Sequence, residues 1–173
     1  MADIAFVDDL RQIKSLWLNV FTGDDDKTVE YFYKNCLHKK CLGAFCNGKL
    51  VSMLFLVDRG YCGKKGAYVY AVCTLPEYRG RGFSGSLIEY SKSLGYDFLW
   101  LIPASESLFD FYARFGFETK LYSGEKRENR ILFNESDEIV FDFLFEGSDF
   151  EYPKGMICSA FNLPDGGTGL DND

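Results

Sequence analysis

Glycine and arginine residues are concentrated in the stretch CTLPEYRGRGFSGSLIEY, residues 73–90, where an extended sequence pattern changes to a helical one. The residues concerned are Arg79, Gly80, Arg81, Gly82 and Gly85. A glycine-rich turn at the start of a helix exposes the first backbone N–H groups, and the positive end of the helix dipole lies behind them. Groups arranged in this way bind phosphate. The stretch therefore predicts a site for a phosphate-bearing ligand, in which the glycines allow close approach to the main chain and the arginines add charge.

The rest of the sequence narrows the classes of ligand. No Gly-Lys-Ser or Gly-Lys-Thr follows the turn, which excludes a Walker-type nucleotide loop. The formal net charge of −7 disfavours a nucleic-acid partner and suits a cationic small molecule or a basic peptide. The six cysteines contain no C-x-x-C pair, and with the single histidine, His38, they match no common zinc pattern. We therefore expect no metal site, and we expect reduced, buried thiols.

The size and composition of the chain predict a single domain over its 173 residues, of which 47% are hydrophobic. No run approaches the roughly 18 apolar residues of a membrane helix, and the first residues, MADIAFVDDLRQ, lack the basic start and apolar core of a signal peptide. We expect a cytoplasmic protein without a membrane partner. A homodimer is compatible with the sequence. The final stretch, NLPDGGTGLDND, has no apolar pattern and predicts a mobile end from residue 162 onwards.

Two helices and three strands are predicted before the glycine-rich turn. Apolar residues at intervals of three and four predict a helix from Asp8 to Phe21, capped by Asp8 or Asp9. A second helix is predicted after residues 22–26, TGDDD, whose three aspartates favour a helix start, through KTVEYFYKNCL. The segment CLGAFCNGKLVSMLFLVDRGY predicts two strands joined by Asn47-Gly48, a strong hairpin signal, and GAYVYAVCTL predicts a third.

After the turn, the sequence predicts helix, strand, helix and a further extended run. SGSLIEYSKSLGY places apolar residues on one helical face, with Gly95 as a stop signal, and DFLWLIP predicts a strand buried on both faces. SESLFDFYARFGFE predicts a second helix, with Ser105 as its cap and Gly116 at its end. In the tail, IVFDFLFE at residues 139–146 has the pattern of a strand.

Two motifs in this region resemble those of the GNAT superfamily of N-acetyltransferases. VYAVCTLPEYRGRGFSGSLI is similar to the family's acyl-CoA signature, Arg or Gln, two residues, Gly, one residue, then Gly or Ala; Arg79, Gly82 and Ser84 stand at these positions. Serine departs from the pattern but is small enough to keep the approach open. A second family motif is matched about 30 residues later, by Tyr112 and the pair Gly116-Phe117, whereas Ser105 replaces an asparagine and Leu108 an alanine.

The resemblance implies a fold and a cofactor. The fold is an α/β (α+β mixed sheet) arrangement, in which a mostly antiparallel sheet is splayed open at the cofactor strand and flanked by helices. The cofactor is acetyl-CoA as acyl donor, with no metal. The strand would hold the pantetheine arm through its main chain, and the turn would hold the pyrophosphate through its amides. The residues implied are Val72, Cys73, Thr74, Arg79, Gly80, Arg81, Gly82, Phe83, Ser84, Gly85 and, in the second motif, Ser105.

The resemblance also implies direct transfer of an acetyl group to a primary amine of a small molecule or peptide. Tyr112 would be the general acid that protonates the leaving thiolate; the alternative is a core tyrosine whose hydroxyl has a backbone partner. The nearest carboxylates in sequence, Glu77 and Glu106, are better explained as surface and helix-dipole residues, so no base is named. Cys73 lacks a histidine to activate it and is interpreted as a structural thiol. A non-catalytic CoA-binding or regulatory module remains the alternative function.

Overall fold

One mixed sheet forms the centre of the protein. The computed structural model describes residues 3–35, 40–61, 63–122 and 157–162. In these ranges seven strands lie in a single sheet, in the order β1-β2-β3-β4-β5-β7-β6. The strands are β1 (Asp3–Phe6), β2 (Cys41–Cys46), β3 (Lys49–Tyr61), β4 (Lys64–Thr74), β5 (Phe98–Leu101), β6 (Thr119–Tyr122) and β7 (Ile157–Phe161). Only β4 and β5 pair in parallel, so the sheet is mostly antiparallel, as the family resemblance implies.

The sheet opens between β4 and β5. Their parallel register runs from Gly66 opposite Phe98 to Tyr68 opposite Trp100, and β4 then continues to Thr74 beside β3. Past this point the register between β3 and β4 shifts, and Ala71 has a φ of 51°. A bulge of this kind bends a strand and increases its twist. The predicted splay at the cofactor strand is therefore confirmed.

In the described ranges four α-helices cover the sheet, two on each face. They are α1 (Leu10–Val20), α2 (Asp26–Asn35), α3 (Phe83–Lys92) and α4 (Ser107–Ala113). Alternate residues of β3 separate the two faces: Phe55 packs in the cluster that contains residues of α1 and α2, whereas Leu54 and Leu56 pack in the cluster that contains residues of α3 and α4. The helices thus bury opposite faces of one sheet. None of the helices in the described ranges is long and apolar enough to cross a membrane.

The helix and hairpin signals in the first half of the sequence are confirmed. Asp9 is the N-cap of α1 and accepts a hydrogen bond from the Arg11 backbone N–H at 3.0 Å. Asp25 accepts from the Thr28 backbone N–H at 2.8 Å and so stabilises the first turn of α2. Asn47 and Gly48 have φ of 51° and 76°, as a tight hairpin between β2 and β3 requires.

Three expectations need correction or lie outside the described residues. Strands β1 and β7 were not predicted, and β7 lies between β5 and β6. Ser105 does not cap α4: the cap position is Glu106, in helical conformation and without a side-chain bond, because the Ser105 hydroxyl contacts Ser107 Oγ at 3.0 Å instead. The strand predicted at residues 139–146 and the end of the chain from 163 lie outside the described ranges.

Candidate active site

The glycine-rich turn leads into α3 with its backbone open to solvent. Gly82 is the N-cap of α3, and its carbonyl accepts the first helical hydrogen bond, from Ser86 N–H at 2.9 Å. The amides of residues 83–85 therefore precede the helical hydrogen-bond series. No atom lies within 4 Å of the position that a Cβ atom would occupy at Gly80 or Gly82. A ligand can consequently approach the main chain at this turn.

The three positions of the turn require glycine for two different structural reasons. Gly80 and Gly82 have φ of 74° and 81°, a left-handed conformation that other residues adopt only with strain. Gly85 is buried, and a Cβ atom there would lie 2.7 Å from Cζ of Phe115. The absent side chain at Gly85 thus makes room for the Phe115 ring, and a contact between the Gly85 amide and an anion stays a prediction.

Both arginines of the turn are exposed and have contacts within the protein. Arg79 Nε donates to the Thr74 carbonyl at 3.2 Å, which ties the turn to the end of β4. The Arg81 guanidinium lies over the Tyr78 ring, 5.2 Å from its centroid, in a cation–π contact. The turn therefore carries two positive charges in an otherwise acidic chain, next to the exposed amides.

The last residues of β4 lie along the opened edge of the sheet. Val72 is half-buried and packs against the cluster on the α3 and α4 face, whereas Cys73 and Thr74 are buried. Burial raises the pKa of the Cys73 thiol to about 12, although the Arg79 charge acts in the opposite direction. The thiol is therefore protonated at neutral pH, which argues against a nucleophilic role and agrees with its interpretation as a structural residue.

A chain of hydroxyl groups connects β3, β4 and α3. Ser52 Oγ donates to the Cys73 carbonyl at 2.9 Å and lies 2.8 Å from Thr74 Oγ1. Thr74 Oγ1 lies 3.4 Å from Ser84 Oγ in the first turn of α3. The sequence analysis missed Ser52; the available signal was a lone serine within the apolar run LVSMLFLV.

Tyr112 lies on α4, with its ring in the cluster on the α3 and α4 face. Its exposure is 6%, and burial raises the pKa of its phenol to about 12. Its hydroxyl has no hydrogen-bond partner among the described residues, which argues against the alternative of a core tyrosine bonded to the backbone. Val72 and Phe83 pack against the same cluster. Tyr112, Val72 of β4 and Phe83 of α3 thus pack in or against one hydrophobic cluster.

Other candidate residues lie apart from this region or take part in surface contacts. Ser105 is exposed, and its role in the cofactor site stays a prediction. Glu77 forms an ion pair with Lys49 at 3.3 Å, with both side chains more than half exposed, which agrees with a surface role. The described residues include no group of three or more side chains that could hold a metal ion.

Aromatic side chains line the sheet on the opposite face of the opening. Tyr68 stacks on Trp100 with ring centroids 4.1 Å apart, at the last paired position of β4 and β5. Tyr70 lies 6.1 Å from the Trp17 ring, and the Trp17 indole N–H donates to Asp24 at 2.7 Å. The sequence analysis did not identify Asp24, which is a partly buried carboxylate two residues before the start of α2.

The sequence GRGFSG at residues 80–85 also has the spacing G-x-G-x-x-G that binds dinucleotides in doubly wound parallel sheets. Here β4 has an antiparallel neighbour in β3, and β5 has an antiparallel neighbour in β7. The required parallel sheet is absent from the described residues. The spacing alone therefore does not indicate a dinucleotide site.

Sequence comparison gives one family match. A family profile described as "Acetyltransferase (GNAT) domain" matches residues 5–120, about two thirds of the chain and the whole region from β1 to the start of β6. No curated protein sequence matches this chain.

Solved structures with a similar fold include N-acetyltransferases of several organisms. Arabidopsis thaliana Naa50, in complex with the bisubstrate analogue CoA-Ac-MVNAL, is 17% identical with a TM-score of 0.60 and covers 94% of this chain and 99% of its own. A ribosomal-protein-alanine N-acetyltransferase from Brucella melitensis is 19% identical with a TM-score of 0.56. The match covers 77% of this chain and 100% of that protein. A probable N-acyltransferase from Enterococcus faecalis is 16% identical with a TM-score of 0.58; 71% of this chain matches 33% of that protein, so this chain spans about a third of its length. At these identities the likeness concerns the fold alone.

Proposed function

The chain belongs to the acetyltransferase (GNAT) domain family, and on that premise we propose that it transfers an acetyl group from acetyl-CoA to a primary amine. One observation carries the proposal: the opened edge of β4 leads, through one short 3-10 turn at Pro76–Tyr78, into the glycine-rich turn at the start of α3, where Gly80 and Gly82 have no neighbouring atom at the Cβ position. An extended ligand with a pyrophosphate fits this combination, because the strand offers main-chain groups along its length and the helix start offers an anion site.

Acetyl-CoA would supply an acyl group activated as a thioester. The main chain of Val72, Cys73 and Thr74 would bind the pantetheine arm, and the amides of residues 80–85 would bind the pyrophosphate. Arg79 and Arg81 would add charge at the turn, in a role secondary to the amides because both side chains already have contacts within the protein. Cys73 would contribute only its backbone, since its thiol is protonated.

Tyr112 would act as the general acid. Burial raises the pKa of its phenol to about 12, so the proton is present at every physiological pH. A group that donates a proton as the C–S bond breaks must hold that proton until then, and a buried phenol whose hydroxyl has no partner in the described part of the chain does so. The donor oxygen would return to the phenol form by taking up the proton that the attacking amine loses, directly or through water.

The acceptor would be a primary amine of a small molecule or a peptide. An acidic protein attracts cationic ligands, and this chain carries a formal charge of −7. The face with Tyr70 and Phe32 presents half-buried aromatic rings beside the opening of the sheet, which suits an amine attached to an apolar group. The peptide portion of the analogue bound to Arabidopsis Naa50 supports a peptide acceptor. We propose a cytoplasmic location, because reduced thiols such as those of Cys41 and Cys73 belong to a reducing compartment.

Binding and turnover can be tested separately. CoA at about one hundred times its Kd should raise the melting temperature by roughly 5 to 10 °C. Release of free thiol from acetyl-CoA should then depend on the amine when a panel of monoamines, polyamines and peptides is added. A protein that CoA does not stabilise lacks the proposed function. A protein that binds CoA and releases no thiol with any amine is the non-catalytic module instead.

A further inference from the structure

Ser52 is a buried hydroxyl residue on β3 at a position where an apolar side chain is expected. Leu54 and Leu56 follow at alternate positions and pack in the cluster on the α3 and α4 face. Ser52 points to the same face and has an exposure of 0%. Burial of a hydroxyl costs free energy unless it forms hydrogen bonds, so an alanine or valine would suit a purely structural position better. The Ser52 hydroxyl therefore needs its own explanation.

The hydrogen bonds of Ser52 fix the direction of the hydroxyl chain. A serine hydroxyl has one proton, and Ser52 donates it to the Cys73 carbonyl. Thr74 must then be the donor in its 2.8 Å contact with Ser52 Oγ. With the Thr74 proton used, Ser84 is the donor in the 3.4 Å contact with Thr74 Oγ1. The chain thus runs from Ser84 through Thr74 and Ser52 to the Cys73 carbonyl.

This chain joins two segments that the glycine-rich turn separates. Thr74 is the last residue of β4, and Ser84 is the second residue of α3. Gly80 and Gly82 between them adopt left-handed conformations with no neighbouring atom at the Cβ position, so the turn is restrained mainly by the contacts of the Tyr78 ring with Arg81 and Phe83. Arg79 adds a second contact to the Thr74 carbonyl at 3.2 Å. The position of the α3 start relative to the end of β4 is therefore set by the packing of Phe83 together with these side-chain contacts.

We propose that Ser52 is a positioning residue for the cofactor, which sets the distance between the strand residues that bind the pantetheine arm and the α3 amides that bind the pyrophosphate. This inference rests on the proposed function. CoA occupies both segments at once, so its affinity depends on their spacing. A ligand that occupies only one segment does not depend on it.

The difference between whole and partial ligands provides the test. Isothermal titration calorimetry would measure the Kd of CoA, of pantetheine and of adenosine diphosphate for the wild type and for Ser52→Ala. The Kd of CoA should rise roughly ten-fold, the size expected for the loss of one buried hydrogen bond. The Kd values of pantetheine and of adenosine diphosphate should stay within about two-fold of the wild type.

Thr74→Val and Ser91→Ala supply a matched pair of variants that leaves the main chain intact. Thr74→Val removes the middle hydroxyl at constant shape and should weaken CoA as Ser52→Ala does, whereas Ser91→Ala removes a buried α3 hydroxyl outside the chain, bonded to the Ile88 carbonyl at 2.7 Å, and should keep the wild-type affinity. This pair carries the test if Ser52→Ala does not fold. An unchanged Kd of CoA in Thr74→Val, or an equal loss for all three ligands, overturns the positioning role. A wild type that does not bind CoA refutes the proposed function itself, independently of the variants.

Discussion

Burial determines what the candidate residues of the site can do chemically. Cys73 and Tyr112 are both buried, and burial raises the pKa of each to about 12. For a thiol this removes the thiolate that a nucleophile needs. For a phenol it preserves the proton that a general acid must donate. The same physical effect thus opposes a role for Cys73 in covalent catalysis and keeps the proton on Tyr112, although a phenol with a raised pKa donates its proton less readily.

The acid role predicts a selective loss of turnover in Tyr112→Phe. This variant keeps the ring in its cluster and removes only the hydroxyl, so kcat should fall ten-fold or more, on the usual scale for an acid group. The Kd of CoA should stay close to the wild type, because the predicted cofactor contacts are main-chain groups of β4 and α3. Steady-state kinetics and calorimetry measure the two quantities.

Tyr90→Phe is the matched control for this variant. Tyr90 lies on α3 and is 40% exposed, so its hydroxyl has no predicted part in the reaction. The control should keep the wild-type kcat. Equal kcat values for Tyr112→Phe and the wild type would refute the acid assignment and leave CoA binding unaffected.

The raised pKa of Tyr112 also predicts a pH dependence of stability. In the unfolded chain a tyrosine loses its proton near pH 10, whereas in the folded protein the pKa of Tyr112 is about 12. The buried neutral phenol therefore contributes full stability below about pH 10, and this contribution is lost as the pH rises towards 12. Between about pH 9 and pH 11, the urea midpoint of the wild type should fall further than that of Tyr112→Phe. Parallel decreases in both proteins would contradict the burial of this phenol.

At the scale of elements, the turn before α3 combines two kinds of glycine. Gly82 is required by its φ of 81° and lies against open space, where the proposed ligand binds. Gly85 is required by the Phe115 ring, which holds α3 against the segment that follows α4. Substitutions at these two positions should consequently have different effects.

Gly82→Ala should weaken CoA binding beyond its effect on stability. The left-handed conformation should cost the alanine variant about 1 kcal/mol, and the added Cβ enters the space proposed for the pyrophosphate, so the Kd of CoA should rise roughly ten-fold or more. Gly95→Ala is the control, because Gly95 has a φ of 78° and equally open surroundings outside the turn. It should lose similar stability and keep the affinity for CoA. Equal affinities in the two variants would place the cofactor elsewhere.

Gly85→Ala should reduce stability through overpacking instead. The clash at 2.7 Å with Phe115 should lower the free energy of unfolding by roughly 1 to 3 kcal/mol. Thermal unfolding measures this loss, and the double variant with Phe115→Leu should recover part of it. A Gly85→Ala protein as stable as the wild type would show that the ring moves aside freely.

Local patterns predicted most elements, and the misses have physical reasons. The Asn47-Gly48 hairpin, the Asp9 cap and the buried strand β5 depend on short-range chemistry that a sequence displays. Strand β7 has no clear alternation and is held by its neighbours β5 and β6, which are distant in sequence. The bulge at Ala71 likewise depends on register with β3, and no glycine or proline marks it.

The candidate site was predicted in part for the same reason. The turn residues from Arg79 to Gly85 form one contiguous motif, so sequence alone identified them. Ser52 and Asp24 were identified only from the structure, because each forms its hydrogen bond with a residue of another element. Ser52 contacts Thr74, and Asp24 accepts a hydrogen bond from the Trp17 indole. Long-range hydrogen bonds of this kind leave no local pattern in a sequence.

At the scale of the whole molecule, the two faces of the sheet divide the proposed reaction. The face with α3 and α4 holds the glycine-rich turn and Tyr112. The face with α1 and α2 holds the aromatic side chains, which include Trp17 and Tyr70. Between them the pairing of β4 and β5 ends at Tyr68 and Trp100, so the thioester of the proposed cofactor would be accessible from the aromatic face if it lay in this gap. The proposed amine acceptor would approach from that face.

Transfer of labelled acetyl groups tests this account most directly. The protein would be incubated with acetyl-CoA carrying a deuterated acetyl group and with the amine panel, and mass spectrometry would follow the label. The account predicts an amide product with the deuterated acetyl group on nitrogen, formed by the wild type at least ten times faster than by Tyr112→Phe. Stabilisation by CoA without labelled amide from any amine would contradict it, and would assign the chain to cofactor binding without catalysis.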